Sequence, residues 1–244
     1  MGITVIITDH LEETKPYLDA CLESLSWQRG VEFDTVLLSS APKRPQVDRV
    51  KSPKSLVIIH DTELNNPTKK IKYAMEFKPA DYYLLLSNDV VLSPDCIAGM
   101  FWAASKGCLV TPLSNNDNGW HFVTEFPCGP SAEFSPMLID YAKHQEPSRN
   151  LLIPARDGWF PFYCVMISAK VFEAVGFLDP ALDCRFNDVD FCHRALKQGY
   201  NAFINTGVFA LHFGSKTISK TETPESFAAA DAHFAEKYKD RIAK

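Results

Sequence analysis

Two short apolar runs in the first part of the chain, Ile3 to Thr8 and Tyr82 to Leu86, constrain its fold more than any other feature. Both are too short for core helices; the first reads as a strand covered on both faces and the other as a buried fourth strand, with Phe33 to Leu38 and Leu56 to Ile59 as the second and third strands between them. Between them the apolar period changes to that of a helix. Thr14 is placed to cap one, with Pro16 in its first turn, a stripe of Leu18, Cys21, Leu22 and Leu25, and Gly30 as the stop. Ser39 to Pro53 is a loop punctuated by prolines, and the polar connection Asp61 to Thr68 leads to a second helix bearing Ile71, Ala74 and Met75. Strands alternating with helices imply right-handed crossovers and a largely parallel sheet, so the expected fold class is α/β, with a Rossmann-like central sheet flanked by helices.

The second part continues the pattern less regularly. Ser93 and Pro94 announce a helix after the fourth strand, Cys108 to Thr111 is a further strand, and Ser135-Pro136 opens a helix to about Glu146. Phe162 to Ser168 is an apolar strand with Ser168 capping a helix that ends at Gly176. Tyr200 to Asn205 and Val208 to His212 complete the sheet as two strands. The polar segment Ser215 to Pro224 fits a flap, and Phe227, Ala230, Phe234, Tyr238 and Ile242 line one face of a terminal helix. That helix either packs back on the domain or serves a homodimer. At 244 residues the expectation is one domain over 1–214, with 215–244 as flap and helix on the same body.

The net charge of −5 argues against non-specific binding to nucleic acid or anionic membranes. Seven scattered cysteines show no C-x-x-C pair and read as reduced, mostly buried thiols. Met1 to Thr8 lacks the basic start and cleavage site of a signal peptide, and no run is long enough to cross a membrane, so the expected location is cytoplasmic.

The chemistry concentrates at three places. Asn187-Asp188-Val189-Asp190 opens an amphipathic helix carried by Val189, Phe191, Cys192, Ala195 and Leu196 and stopped at Gly199. Asp188 then lies in the first turn, where the helix dipole and free N–H groups favour its charged form, which suits a general base. The plainer reading is that both aspartates only cap the helix. The fourth strand ends at Ser87-Asn88-Asp89, in the crevice where ligands of open α/β sheets collect. A carboxylate there is suited to share a divalent cation with a diphosphate, or else to make an Asx-turn. His212 closes the last strand and is placed to bind metal or a phosphate oxygen, although a lone histidine is commonly structural. Two further groups suit a sugar: the amides of the Leu113 to His121 loop, Asn115 and Asn116 among them, and the aromatic cluster of Trp159, Phe160, Phe162 and Tyr163.

The order of these motifs resembles the family 2 glycosyltransferases of the GT-A fold. The resemblance runs from the Val-Ile-Ile strand through Tyr17 to Leu25, Leu-Leu-Leu-Ser-Asn-Asp-Val at 84 to 90, Val-Gly-Phe-Leu-Asp-Pro at 175 to 180, Asn-Asp-Val-Asp-Phe-Cys-x-Arg at 187 to 194, and His212-x-Gly-Ser. It implies an inverting transferase, a hexosyltransferase by expectation, that moves a sugar from a nucleotide diphosphate, a UDP-sugar first among candidates, to an acceptor hydroxyl. It also implies Mn²⁺ or Mg²⁺ on Asp89, the match to the last acid of the family's D-x-D motif, and on His212, with Asp188 matching the catalytic base. The donor is expected against Thr8, Ser39, Asn65, Lys69, Ser87, Asn88, Asp89 and Lys216, and the acceptor or sugar against Asn115, Asn116, Trp159, Phe160 and Asn187.

The chain departs from the family at three positions. Ser87 stands in place of the first acid of D-x-D, Asn187 in place of the Glu beside the base, and Ser39-Ser40 where an Asp reads the donor's base. Two other functions therefore stand beside transfer: a non-catalytic nucleotide-sugar or glycan binding module, and a nucleotidyltransferase, which the acidic stretch Asp9 to Glu13 disfavours. The acceptor is open, DNA included.

Overall fold

The computed structural model describes residues 2–47, 54–115, 133–182, 185–214 and 223–242. Its centre is a nine-stranded sheet in the order β3-β2-β1-β4-β8-β6-β9-β5, with β7 also paired to β9. The first four strands are β1 (Ile3–Asp9), β2 (Asp34–Ser39), β3 (Ser55–His60) and β4 (Tyr82–Ser87), and they are mutually parallel. Helices α1 (Lys15–Leu25) and α2 (Pro67–Phe77) make the crossovers.

The apolar runs are continuous because the strands are covered on both sides. Val5 and Ile7 of β1 and Leu84 and Leu86 of β4 pack toward α1 and toward α3 (Cys96–Ala104), with Leu18, Leu22, Ile97 and Met100. The intervening Ile6 and Leu85 pack on the other face with Ala74 of α2, Phe172 of α5 (Ala169–Val175) and Phe191 of α6 (Asn187–Lys197). Successive side chains of a strand point to opposite faces, so one buried strand supplies two cores.

The remaining strands make the sheet mixed. β8 (Cys164–Ser168) is antiparallel to both β4 and β6 (Leu109–Ser114), β6 is parallel to β9 (Ala202–His212), and β5 (Val90–Leu92) and β7 (Leu152–Pro154) run antiparallel to β9. The two three-residue strands are too short to carry a periodic signal, and the sequence does not display them. The strands expected at 200–205 and 208–212 are one irregular strand. Pro112 faces Asn205 but Leu113 faces Phe209, and the buried Asn205 amide holds the irregularity: it donates to Gly99 O (3.0 Å) and Asn150 Oδ1 (2.7 Å) and accepts from Gly207 N (3.0 Å).

Two expected caps have other tasks. Helix α3 begins at Cys96 behind a left-handed Asp95 (φ 63°), while Ser93 Oγ accepts from Phe209 N (3.2 Å) and Gln28 Oε1 takes the Ile97 amide (3.0 Å). The Thr14 hydroxyl turns back to Leu11 O (2.6 Å) and Asp9 Oδ1 (3.2 Å). Among the described residues, five cysteines are buried free thiols and no helix is long and apolar enough to cross a membrane. Helix α4 (Pro136–Lys143) lies over β5 and β9, and α7 (Pro224–Ile242) lies against the segment before α6.

Gly207 has no room for a side chain, because a Cβ would sit 2.8 Å from Asn150 Oδ1 and 2.9 Å from its backbone N and Cα. Gly207→Ala is expected to lower stability by about 1–3 kcal/mol, the usual cost of overpacking, read as a lower urea midpoint with an unchanged slope.

Candidate functional site

The carboxyl ends of β1, β2 and β4 meet at one buried carboxylate. Asp9 is 2% exposed and accepts from Ser39 Oγ (2.6 Å), Asn88 Nδ2 (2.8 Å) and the Thr14 hydroxyl (3.2 Å). A buried charge is tolerable only when hydrogen-bonded, so Asp9 fixes the side chains of three other segments. Ser39 is engaged twice, because its Oγ also takes the Ala41 amide (3.2 Å).

A buried cation lies next to this carboxylate. Lys70 is wholly buried, and its Nζ donates to Asp9 O (2.6 Å) and Ser40 Oγ (2.8 Å) and lies 3.3 Å from the His10 ring nitrogens. Burial and then the Lys70 charge push the His10 imidazole down to about 4, so it is neutral near pH 7. Asn65 and Lys69, expected against the donor, are exposed, with Lys69 N bonded to Asn66 Oδ1 (2.8 Å) at the start of α2. The inward lysine is Lys70, which precedes the buried Ala74 by four and so shares its helix face.

A second set of groups continues from Asn88. Its neighbour Asp89 is 4% exposed and lies 3.5 Å from His212 Nε2, while the His212 ring stacks on Tyr163 at 4.6 Å and 16°. Tyr163 O in turn takes the Ser87 amide (2.8 Å), tying β8 to the end of β4. One residue earlier, the Phe162 amide donates to the Asp188 carboxylate, which also takes the amide of Val189 at 2.8 Å. Contacts thus run without a break from Asp9 through Asn88, Asp89, His212, Tyr163 and Phe162 to Asp188. The three side chains singled out in the sequence, Asp89, Asp188 and His212, share this rim.

The electrostatics of Asp188 differ from the sequence expectation. Burial raises its pKa more than the amides of Val189, Asp188 and Phe162 lower it, and the group is pushed up to about 6. Asp190, two residues on, is fully buried where Asp188 is half-buried. There Lys237, Tyr238 and Arg194 outweigh the burial and hold it below the usual carboxylate range.

The expected sugar contacts divide. Asn115 is fully buried with both ends of its amide on the His212 backbone, donating to O (3.0 Å) and accepting from N (2.7 Å). Phe160 is fully buried in the second core, and Trp159 is half-buried against it. Asn187 is half-buried as the first residue of α6, and Thr8 and Ser87 are half-buried partners across β1 and β4. Asn116, Lys216 and the 215–222 part of the flap lie outside the described residues. Beyond β1 and β2 a cleft of about 250 Å³ opens, lined by Asp9, Leu11, Lys15, Ala41, Lys43 and Arg44.

Among the described residues, no three of His, Cys, Asp and Glu are grouped to hold a metal by themselves. Asp89 and His212 nonetheless suit two positions of one divalent ion. They offer an oxygen and an imidazole nitrogen 3.5 Å apart, where neighbouring ligands of an octahedral ion with bonds near 2.1 Å sit about 3 Å apart.

No protein-family model and no curated protein sequence matches the chain. Solved structures do. S. aureus TarS 1–349 in complex with UDP-GlcNAc aligns with a TM-score of 0.61 at 13% identity, over 94% of this chain and 64% of that one. Full S. aureus TarS aligns at 0.59 and 12% identity, over 97% of this chain and 39% of its own. GalNAc-T7 with UDP, GalNAc and Mn²⁺ aligns at 0.57 and 12% identity, over 87% of this chain and 44% of its own. These neighbours are GT-A glycosyltransferases, and the fold of this chain matches theirs. The chain spans less than two thirds of the length of each.

The raised pKa of Asp188 has a consequence for stability. The unfolded chain ionises this group near 3.8 and the folded one near 6, so the folded state holds the proton more tightly and loses stability as pH rises between the two values. Asp188→Asn, which cannot ionise, is expected to melt higher than the parent at pH 8. The gain should shrink as pH falls through 6 and vanish near pH 4, as checked by thermal melts across that range.

Proposed function

We propose that this chain is an inverting glycosyltransferase that moves a hexose from a nucleotide-diphosphate sugar, with UDP as the nucleotide, to an acceptor hydroxyl. One observation carries the reading: a half-buried aspartate with its pKa raised to about 6 stands on the same rim as Asp89 and His212, in a fold shared with proteins that bind UDP and UDP-GlcNAc.

In this reading Asp188 is the general base. At neutral pH it is mostly ionised, yet it holds a proton far better than an ordinary aspartate, the compromise that general-base catalysis requires. It removes the proton of the acceptor hydroxyl as that oxygen bonds to the anomeric carbon. The bond from that carbon to the diphosphate oxygen breaks on the opposite face, and the configuration inverts. The Phe162 and Val189 amides hold the carboxylate in place. Asp89 and His212 would hold Mn²⁺ or Mg²⁺, which supplies neutralisation of the charge on the departing diphosphate. His10, neutral beside Lys70, and the cleft between Lys15 and Arg44 are placed to receive the nucleotide.

A second reading is favoured by Ser87, Asn187 and the twice-engaged Ser39: a module that binds a nucleotide sugar without turning it over. Release of nucleotide from a panel of donors separates the two, because a binding module would raise the melting temperature with donor and free none.

General bases contribute about 10²–10⁴-fold, so Asp188→Asn should lose turnover on that order while still binding donor. In the parent, log turnover should rise with unit slope up to about pH 6 and then level, and a limb breaking near 4 would remove Asp188 from this role. Asp89→Ala should weaken Mn²⁺-dependent binding of UDP in a calorimetric titration and leave any metal-independent binding in place.

A further inference from the structure

We infer that the C-terminal helix α7 positions the base: Phe234, Lys237 and Tyr238 hold the entry to α6 in the conformation that presents Asp188, an inference that rests on the glycosyl-transfer reading above. Phe186, the residue before α6, has left-handed backbone angles (φ 67°). A bulky aromatic residue adopts them only when its surroundings hold it there, because its Cβ crowds the backbone carbonyl. What holds it is α7. The Phe186 ring stacks on Phe234 at 4.5 Å and 24°, and Arg185, whose guanidinium lies 5.0 Å over the Phe186 ring, pairs with Asp231 of the same helix at 3.3 Å.

The first turn of α6 is held from the same side. The fully buried Asp190 carboxylate takes Tyr238 OH (2.8 Å) and Lys237 Nζ (2.8 Å), and Lys237 also reaches Asp179 (2.7 Å), which His233 meets at 3.1 Å. Residues two apart on a helix point about 200° away from each other. Asp190 therefore faces α7 while Asp188 faces the Phe162 amide. Phe234, Lys237 and Tyr238 are positioning residues, acting on the base through the backbone between them. The body of α6 has its own anchor, because Arg194 bonds Asp190 (2.9 Å), Val175 O (2.7 Å) and Phe177 O (2.9 Å). Beyond an edge contact of Tyr238 with His193 (5.8 Å), these ties from α7 fall at the helix start.

The test uses the full chain carrying Phe234→Ala, Phe234→Tyr, Tyr238→Phe or Lys237→Gln. Amide exchange within 187–191 should quicken about tenfold in Phe234→Ala and in Lys237→Gln, less in Tyr238→Phe, and stay at the parent rate in Phe234→Tyr, with β1 and β4 unchanged. With UDP-GlcNAc as donor, kcat should fall severalfold in the same order with KM for donor unchanged. Parent-like exchange at 187–191 in Phe234→Ala, or an equal rise in β1 and β4, overturns the inference, the latter because it would make α7 a general stabiliser. Should the parent chain turn over no nucleotide sugar, the transferase reading fails and the exchange pattern alone decides what α7 does.

Discussion

A carboxylate taken out of water must be met by donors or it will not stay charged, and that requirement at Asp9 organises the rim of this sheet. Asp9 closes β1, the strand at which the order of the sheet turns from β2 and β3 on one side to β4 on the other. Its three partners come from the end of β2, the start of α1 and the turn after β4. Lys70 reaches the same place from α2 and bonds the Asp9 carbonyl oxygen. Helix α2 and the connections that follow β1, β2 and β4 are thereby drawn to one point. The turn at Asn88-Asp89 is tied to β1 by the Asn88 amide on Asp9, a bond that needs no ligand.

The parallel half of the sheet was legible because burial on both faces writes itself into sequence as an unbroken apolar run, as in Ile3 to Ile7 and Tyr83 to Leu86. Direction is not written that way. Cys164 to Ser168 reads as a buried strand, but nothing in it tells that it inserts antiparallel between β4 and β6, since a strand covered on both faces has the same pattern in either orientation. Nor do Val90 to Leu92 and Leu152 to Pro154 announce themselves, being too short to show a period. At the rim, Asp89, Asp188 and His212 stand out because each belongs to a distinctive motif. Asp9 and Lys70 do not: Asp9 falls in an acidic stretch, and Lys70 is marked only by the helical phase it shares with Ala74.

The departures from the family pattern are easier to understand once the partners are known. Ser39, in place of an acid, donates a hydrogen bond to Asp9 and takes the Ala41 amide, so the end of β2 already has an acid to satisfy. A second carboxylate at that point would face Asp9 across a bond now 2.6 Å long, and like charges at such a distance cannot both remain ionised. The serine is therefore the residue that Asp9 requires.

The two aspartates of α6 show how one local sequence serves two opposed purposes. Both lie in the first turn and both are withdrawn from solvent, yet burial wins at Asp188 and ion pairing wins at Asp190. The difference lies in what faces each. Asp188 meets neutral amides, which orient a carboxylate without fully compensating its charge, and Asp190 meets Arg194 and Lys237. The helix dipole favours the charged form of both, so it cannot be what separates them. Separation comes from the helical twist, which turns one acid to the sheet rim and the other to α7. The acid left without a cation keeps its proton toward neutral pH, and the one given two stays ionised and ties the start of α6 to α7.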